Sequence, residues 1–187
     1  TFQSLVTVVG AEHLLYAGTQ NNAKIWYSRD FGISWTMAST GLPVSGTSRA
    51  ELATTAADTN YVYAIYGANN NGLYGVYRST NKGISWTQMH GSTPNLLGWS
   101  TTGAGTGGQA WYDLTIAASP LNKDVILIGG VNIWRSNNGG SSFGLSGHWY
   151  GGGGASFVHA DHHWLTFRPN SNKVYAGTDG GVYRSTN

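Results

Sequence analysis

One short pattern, Ser-x-Asp/Asn-x-Gly-x-Ser-Trp/Phe, recurs along this chain. Complete copies occupy residues 28–35, 79–86 and 136–143, and residues 185–187 begin a fourth copy. The copies start 51, 57 and 49 residues apart (79−28, 136−79 and 185−136). Self-similarity at a period of this size is the signature of a repeat architecture, in which each repeat is one supersecondary unit. The spacing therefore constrains the fold more than any other feature of the sequence.

Each copy has the composition of a tight turn between strands. Its Asp or Asn can hydrogen-bond the backbone two residues on, and its Gly allows a backbone conformation that a side chain would obstruct. β-branched and aromatic residues precede every copy in short runs between Gly and Asn clusters, which is typical of hairpin strands. The runs directly before the copies are 24–27, 75–78, 132–135 and 181–184, and the runs before those are 15–18, 62–65, 125–128 and 174–177.

The pattern and its flanking strands resemble the Asp-box repeat of bacterial neuraminidases. That repeat turns between the third and fourth strands of β-propeller blades in sialidases, xyloglucanases and sortilin-like receptors. The resemblance covers essentially the whole chain. It implies an all-β fold in which residues 1–187 form a partial β-propeller of about four four-stranded antiparallel blades. The Asp box itself is a structural turn, so it indicates the fold and leaves the function open.

The fourth copy lacks its Gly and its aromatic residue, which predicts that the last blade is incomplete. A propeller fragment of this kind exposes sheet faces and edges unless something covers them. We therefore expect the chain to be part of a larger propeller. The partner predicted for it is the remainder of that propeller, from the same polypeptide or from another chain.

Composition excludes several classes of function. Charged residues are 10% of the chain, against roughly 25% in typical globular proteins, and the few basic residues are scattered. A nucleic-acid groove needs a stripe of positive charge, so no nucleic-acid partner is expected. The sequence contains no run of about 18 apolar residues, so no membrane span is predicted. The absence of Cys excludes disulfides and thiolate metal sites. The abundance of Asn, Ser, Thr, Gly and Tyr favours a secreted or bacterial cell-surface protein.

Alignment of the repeats predicts a working face. Counting back from each predicted second strand gives the first strand of each repeat, which lines the central channel of a propeller. In this alignment four polar residues share one repeat position near the mouth of the channel: Gln3, Glu51, Asp113 and His162. Two long Gly-rich insertions, 91–110 and 144–158, are expected on that same face. Aromatic side chains beside polar groups suit carbohydrate or protein ligands. The predicted ligand-binding residues are Trp99, Trp111, Trp149, Tyr150, His159, Asp161, His162 and Asp179. Under the alternative, the aromatic residues only anchor their loops.

The densest polar cluster is His159-Ala160-Asp161-His162-His163. On a strand, His159, Asp161 and His163 face the same side, and such residues could hold a divalent metal ion. Ligands two residues apart on a strand stand roughly 6.5 Å apart, which is wide for one ion. The alternative is a hydrogen-bonded network where the loop enters the strand. No other cofactor is predicted.

Enzymatic activity stays open at this stage. A sialidase needs a cluster of three arginines, and most arginines here lie in or beside the repeated turn. A glycoside hydrolase needs two carboxyl groups, and Glu51 and Asp113 come from adjacent inner strands. The alternative is that these two residues only orient the neighbouring backbone. The sequence therefore predicts an extracellular binding or interaction module for carbohydrate or protein, with part of a polysaccharide-cleaving glycoside hydrolase as the alternative.

Overall fold

The computed structural model describes residues 1–185 of the chain. The fourth copy of the turn, predicted at 185–187, therefore lies mostly outside the described residues. The strands are β1 (Phe2–Val8), β2 (Ala11–Thr19), β3 (Ile25–Ser28), β4 (Thr36–Ala38), β5 (Thr47–Thr54), β6 (Val62–Ala68), β7 (Leu73–Ser79), β8 (Thr87–His90), β9 (Thr115–Ala118), β10 (Ile126–Gly129), β11 (Ile133–Ser136), β12 (Gly144–His148), β13 (Ser156–Phe157), β14 (His162–Phe167), β15 (Val174–Thr178) and β16 (Gly181–Arg184). The described part contains no α-helix, and its one helical element is the 3-10 turn Gly152–Gly154.

These strands form four antiparallel meanders, which are four blades of a β-propeller. Blade 1 is β1 to β4, blade 2 is β5 to β8, blade 3 is β9 to β12, and blade 4 is β14 to β16. Strand β13 extends blade 3 by pairing in parallel with β12. The predicted all-β propeller fold is confirmed, and blade 4 has three strands within the described residues. No helix in residues 1–185 has the length and hydropathy that a membrane span requires.

The blades pack face to face through three hydrophobic clusters. Tyr16 and Ile25 of blade 1 pack with Tyr66 and Tyr77 of blade 2. The second cluster joins blades 2 and 3, and the third joins blades 3 and 4. Each sheet therefore buries apolar side chains on the faces that meet a neighbouring blade, as layered folds require.

The inner strands β1, β5, β9 and β14 lie side by side and line a groove of about 580 Å³. Side-chain hydroxyls link them at equivalent positions. Ser4 Oγ accepts a hydrogen bond from the Leu52 amide at 3.2 Å, and Thr115 Oγ1 accepts one from the Leu165 amide at 3.2 Å. This groove corresponds to the central channel of a propeller.

Blades 1 and 4 do not close the ring. Within residues 1–185, no hydrophobic cluster or hydrogen bond joins them. Large apolar side chains of their strands are exposed on both, including Leu5 and Met37 of blade 1 and Val182 of blade 4. The four blades form a partial propeller, and its exposed end faces imply completion by other segments.

The repeated turns lie where the sequence predicts them, between β3 and β4, β7 and β8, and β11 and β12. In each turn the first serine accepts a hydrogen bond from the glycine amide four residues on, at 2.8–2.9 Å. The Asp or Asn then accepts one from the second serine amide, at 2.9–3.0 Å. The three glycines have φ of 86°, 78° and 91°, which side chains rarely adopt. The spacing shared by the three copies thus reflects a hydrogen-bonded turn.

We expect Ser79→Ala to lower the free energy of unfolding by about 2 kcal/mol. Ser79 is 1% exposed, and its hydroxyl donates to Asn81 Oδ1 at 2.9 Å and accepts from the Gly83 amide at 2.9 Å. The substitution leaves both groups without this partner in a buried turn. Urea unfolding would measure the loss, with Thr80→Ala as the control because Thr80 is exposed. Equal stability of the two variants would contradict a stabilising role for the serine.

Candidate functional site

The strand register corrects the predicted level of the channel mouth. The blades can be superposed on the first serine of each repeated turn and then followed through the pairing of neighbouring strands. In this superposition Glu51 occupies the same position as Thr115 and Trp164. Their partners on the second strands are Ile65, Gly129 and Gly177. Asp113 and His162 both lie two residues earlier, so their alignment with each other is correct. The alignment of Glu51 with them is wrong by two residues, because β5 begins at Thr47 and runs further than its counterparts. Gln3 falls in the register shift between Phe2 and Ser4.

Two carboxyl groups meet where blades 3 and 4 join. Asp113 is 1% exposed, and neither of its carboxyl oxygens has a well-formed hydrogen bond to a donor in residues 1–185. Burial, followed by the charge of Asp161 and a hydrogen bond to it, raises the pKa of Asp113 to about 8. Two carboxylates in contact cannot both ionise readily, so this pair holds a proton at neutral pH.

Asp161 is held in place by its backbone and by Gln109. Its φ is 64°, in the left-handed region that Asp tolerates better than most residues. Its Oδ1 accepts a hydrogen bond from Gln109 Nε2 at 3.0 Å. Sequence reasoning predicted Asp161 but missed Gln109, which lies 52 residues away along the chain.

A second polar group lies beside the pair and is open to solvent. Asp179 accepts hydrogen bonds from the Tyr112 hydroxyl at 2.9 Å and from His163 Nε2 at 2.7 Å. The rings of Tyr112 and His163 meet edge to face, with centroids 4.8 Å apart. The hydrogen bonds from His163 and Tyr112 lower the pKa of Asp179, and the same bond to Asp179 raises the pKa of Tyr112. Tyr112 was not predicted, although it directly precedes Asp113.

Glu51 forms an ion pair with Arg49, which lies on the same strand. Arg49 donates to Glu51 Oε1 from Nε at 2.9 Å and from Nη2 at 2.8 Å. Arg49 also donates to the carbonyls of Tyr112 at 3.2 Å and Leu114 at 3.3 Å, which ties β5 to the segment before β9. Burial raises the pKa of Glu51 and outweighs the opposing effect of Arg49. Glu51 and Asp113 are therefore held in different environments, and the Arg49 side chain reaches from β5 to the backbone carbonyls on either side of Asp113.

The three predicted metal ligands do not converge. His163 binds Asp179, Asp161 binds Gln109, and His159 Nδ1 lies 3.1 Å from the Ala160 carbonyl. A methyl group at Gly180 would overlap the His159 ring, so that ring lies against the turn between β15 and β16. No group of three His, Asp or Glu side chains in residues 1–185 is arranged to hold a metal ion. The cluster forms the hydrogen-bonded network of the alternative prediction.

His162 has a structural position. It is fully buried, and its Nδ1 donates to the Gly130 carbonyl at 2.6 Å. Burial lowers its pKa, which favours the neutral ring. Because it lies beneath the surface, His162 supports β14 and cannot contact a ligand directly.

Two sets of exposed aromatic side chains contain residues predicted to bind a ligand. In the first set, Trp111 packs on Tyr112 beside the channel mouth, with ring centroids 5.3 Å apart. On the blade 3 insertion, Trp149 packs on Tyr150 at 4.7 Å. Trp99 is also exposed, on the other insertion. No ring contact links the two sets within residues 1–185. Trp164 is 64% exposed and also lines the groove, but it pairs across Gly177 with Val182 and so belongs to the open end face of blade 4.

The loop that carries Trp149 and Tyr150 is held by a buried histidine. His148 Nδ1 accepts hydrogen bonds from the amides of Tyr150 at 3.4 Å and Gly152 at 3.1 Å. The rings of His148 and Tyr150 meet edge to face at 4.2 Å. This arrangement presents the two aromatic side chains on a fixed turn, which reduces the entropy lost when a ligand binds.

Comparison with known proteins supports the fold. No protein-family profile matches the chain, and no curated protein is significantly similar to it in sequence. A GH74 enzyme of Niastella koreensis superposes with a TM-score of 0.62 at 19% identity, over 100% of this chain and 23% of that one. YCF48 bound to D1 peptide gives 0.61 at 15% identity, over 96% and 48%. The GH74 xyloglucanase from Xanthomonas campestris gives 0.57 at 18% identity, over 98% and 24%.

All three similar structures are β-propellers, and this chain spans less than half the length of each. At these identities the likeness shows the fold alone. The class defined by fold and comparison is therefore a four-blade β-propeller segment with a polar, aromatic-rimmed channel mouth.

Proposed function

We propose that this chain is the ligand-binding part of an extracellular propeller, and that its channel mouth binds a carbohydrate or a protein segment. One observation carries the proposal. Exposed Trp111 packs on Tyr112, and Tyr112 belongs to the solvent-open hydrogen-bonded group that it forms with Asp179 and His163. Aromatic faces beside fixed polar groups suit sugar rings and peptide side chains.

The comparisons support an interaction module without deciding its ligand. One similar propeller is described as bound to a peptide, and others are glycoside hydrolases. In our proposal residues 1–187 act as one partial propeller. Further blades pack on the exposed faces of blades 1 and 4 and complete the ring. Secretion or display at a cell surface is part of the same proposal, based on the low charge and the abundant neutral polar residues.

Part of a glycoside hydrolase is the second candidate function. The raised pKa of Asp113 suits a general acid, and similar propellers carry this activity. Two features favour binding instead. Asp113 is almost fully buried, and Glu51 is paired with Arg49, so neither carboxyl group is free to face a glycosidic bond. Asp113→Asn would test the candidate, because loss of polysaccharide cleavage in a folded variant would favour the hydrolase.

In our proposal the ligand extends from the channel mouth onto the blade 3 insertion, so Trp149→Ala is expected to weaken binding by roughly 1–3 kcal/mol without lowering the melting temperature. Trp149 is 41% exposed on an inserted loop, so its removal leaves the blade cores unchanged. A glycan array with matching thermal melts would measure both effects. Trp35→Ala is the control for binding, because Trp35 closes the repeated turn 28–35, which is predicted to lie on the opposite face. Unchanged binding with a lowered melting temperature would show that Trp149 only anchors its loop.

A further inference from the structure

A second cleft, separate from the channel mouth, lies on blade 2. Its volume is about 660 Å³, and it opens between the β6–β7 turn and the long segment 91–107. Tyr74 and Tyr77 of β7 and Gln88 of β8 form its base. None of the residues that line this cleft also lines the channel groove. Its size falls in the range of small-molecule sites, which is about 300–1,000 Å³.

One wall of the cleft is fixed by a buried asparagine. Asn95 is 4% exposed, and its Oδ1 accepts hydrogen bonds from the amides of Leu73 at 2.9 Å and Leu97 at 3.2 Å. Its Nδ2 donates to the Gly107 carbonyl at 2.7 Å. One side chain thus joins both ends of the long segment to β7, and the wall exists before any ligand arrives.

Apolar burial and close backbone packing hold the same segment. Leu96 and Leu97 are inserted into the core between blades 2 and 3. The amide of Ala110 donates to the Asn71 carbonyl at 3.0 Å. A side chain at Gly72 would lie 3.0–3.2 Å from the backbone of Gly107, so the two walls touch at the closed end of the cleft. This insertion is therefore a structured wall.

The side chains that face the cleft are uncharged, and many have unused hydrogen-bonding groups. No Asp, Glu, Lys, Arg or His lines it. Five lining side chains make no hydrogen bond within residues 1–185, namely Asn69, Gln88, Ser92, Thr93 and Thr106. Amides and hydroxyls both donate and accept hydrogen bonds, so they match a ligand whose groups do the same.

We propose that this cleft binds a neutral saccharide unit. Sugar hydroxyls satisfy the free amides and hydroxyls of the walls, and the half-buried ring of Tyr74 offers an aromatic surface to sugar C–H groups. A charged ligand finds no partner of opposite charge here. An apolar ligand would leave the amides of Asn69 and Gln88 without partners, which is costly. The cleft and the channel mouth share no residue, so this proposal stands whether or not the channel mouth binds a ligand.

The test is calorimetric titration of the protein with cellotetraose, xylotetraose and maltotetraose, with tetragalacturonic acid as the charged comparison. Thr106→Trp fills the cleft from an exposed position and should weaken saccharide binding at least about tenfold. Gln88→Ala removes one amide and should weaken it by about fivefold. Asn172→Ala, an exposed asparagine at the β14–β15 turn, is the matched control and should bind like the parent protein. Thermal melts check that each variant is folded.

Binding of a neutral saccharide that is lost in Thr106→Trp and retained in Trp149→Ala supports the cleft. The proposal is overturned if no neutral saccharide binds, or if the bound saccharide is insensitive to Thr106→Trp. It is equally overturned if an uncharged Gly-Ser peptide binds in a way that Thr106→Trp abolishes while no saccharide binds. Loss of binding in Trp149→Ala alone would assign the saccharide to the channel-mouth proposal and would also refute this one.

Discussion

Replacing Asp113 with Asn is expected to raise the melting temperature, and the gain should grow from pH 4 to pH 9. In the folded protein the pKa of Asp113 is raised to about 8, chiefly by burial and then by Asp161. In the unfolded chain its pKa is near 3.9. An Asn amide at this position carries donor hydrogens at every pH, so it needs no proton uptake to face the Asp161 carboxylate. The gain is expected to be largest above pH 8 and to be on the order of a few kcal/mol in the free energy of unfolding.

The direction of this pH dependence follows from the raised pKa. Well below pH 4, Asp113 is protonated in both the folded and unfolded states, so its ionisation does not change the free energy of unfolding. As pH rises toward 8, the unfolded chain releases the proton while the folded protein retains it. Stability from this group is therefore lost across that window, and the Asn variant avoids the loss. Thermal melts of both proteins at several pH values would measure the difference.

Asp179→Asn is the matched control, because the pKa of Asp179 is lowered by His163 and Tyr112. Its contribution is present above the unfolded pKa and is lost as pH falls through the folded one. The two variants should therefore show pH trends of opposite sign, and the effect at the exposed Asp179 should be small. A parallel pH profile for Asp113→Asn and the parent protein would contradict the coupled pair of Asp113 and Asp161.

Asn95→Ala is expected to lower the free energy of unfolding by about 3–4 kcal/mol. The change leaves the buried amides of Leu73 and Leu97, and the carbonyl of Gly107, without their partner. Because the side chain also holds the wall of the blade 2 cleft, amide hydrogen exchange in residues 95–107 should accelerate beyond the global effect. Urea unfolding and hydrogen exchange together measure the two consequences.

Asn172→Ala provides the comparison for Asn95→Ala, since it removes an exposed asparagine amide and should be neutral. If Asn95→Ala unfolds at the same urea concentration as this control, the long segment is held by Leu96 and Leu97 alone. Faster exchange confined to other blades would also contradict the assigned role of Asn95.

The sequence alone determined the fold class, because the evidence for it is local. In the repeated turn, Ser79 bonds Asn81 and Gly83, which are two and four residues away. Such bonds leave a pattern of fixed spacing that can be read directly, and the strands flanking each turn follow from alternating β-branched and aromatic residues. Four repeats therefore predicted four blades, and the described residues show them.

Only the tertiary structure decided the site, because its contacts join distant segments. Tyr112 and Asp179 are 67 residues apart, and Gln109 and Asp161 are 52 apart. Counting repeats misplaced Glu51 by two residues, since strand length varies between blades and the register depends on pairing. The predicted metal ligands took different partners for the same reason. Local spacing specifies turns and strands, whereas the partner of a polar side chain depends on which segments the packed blades bring together.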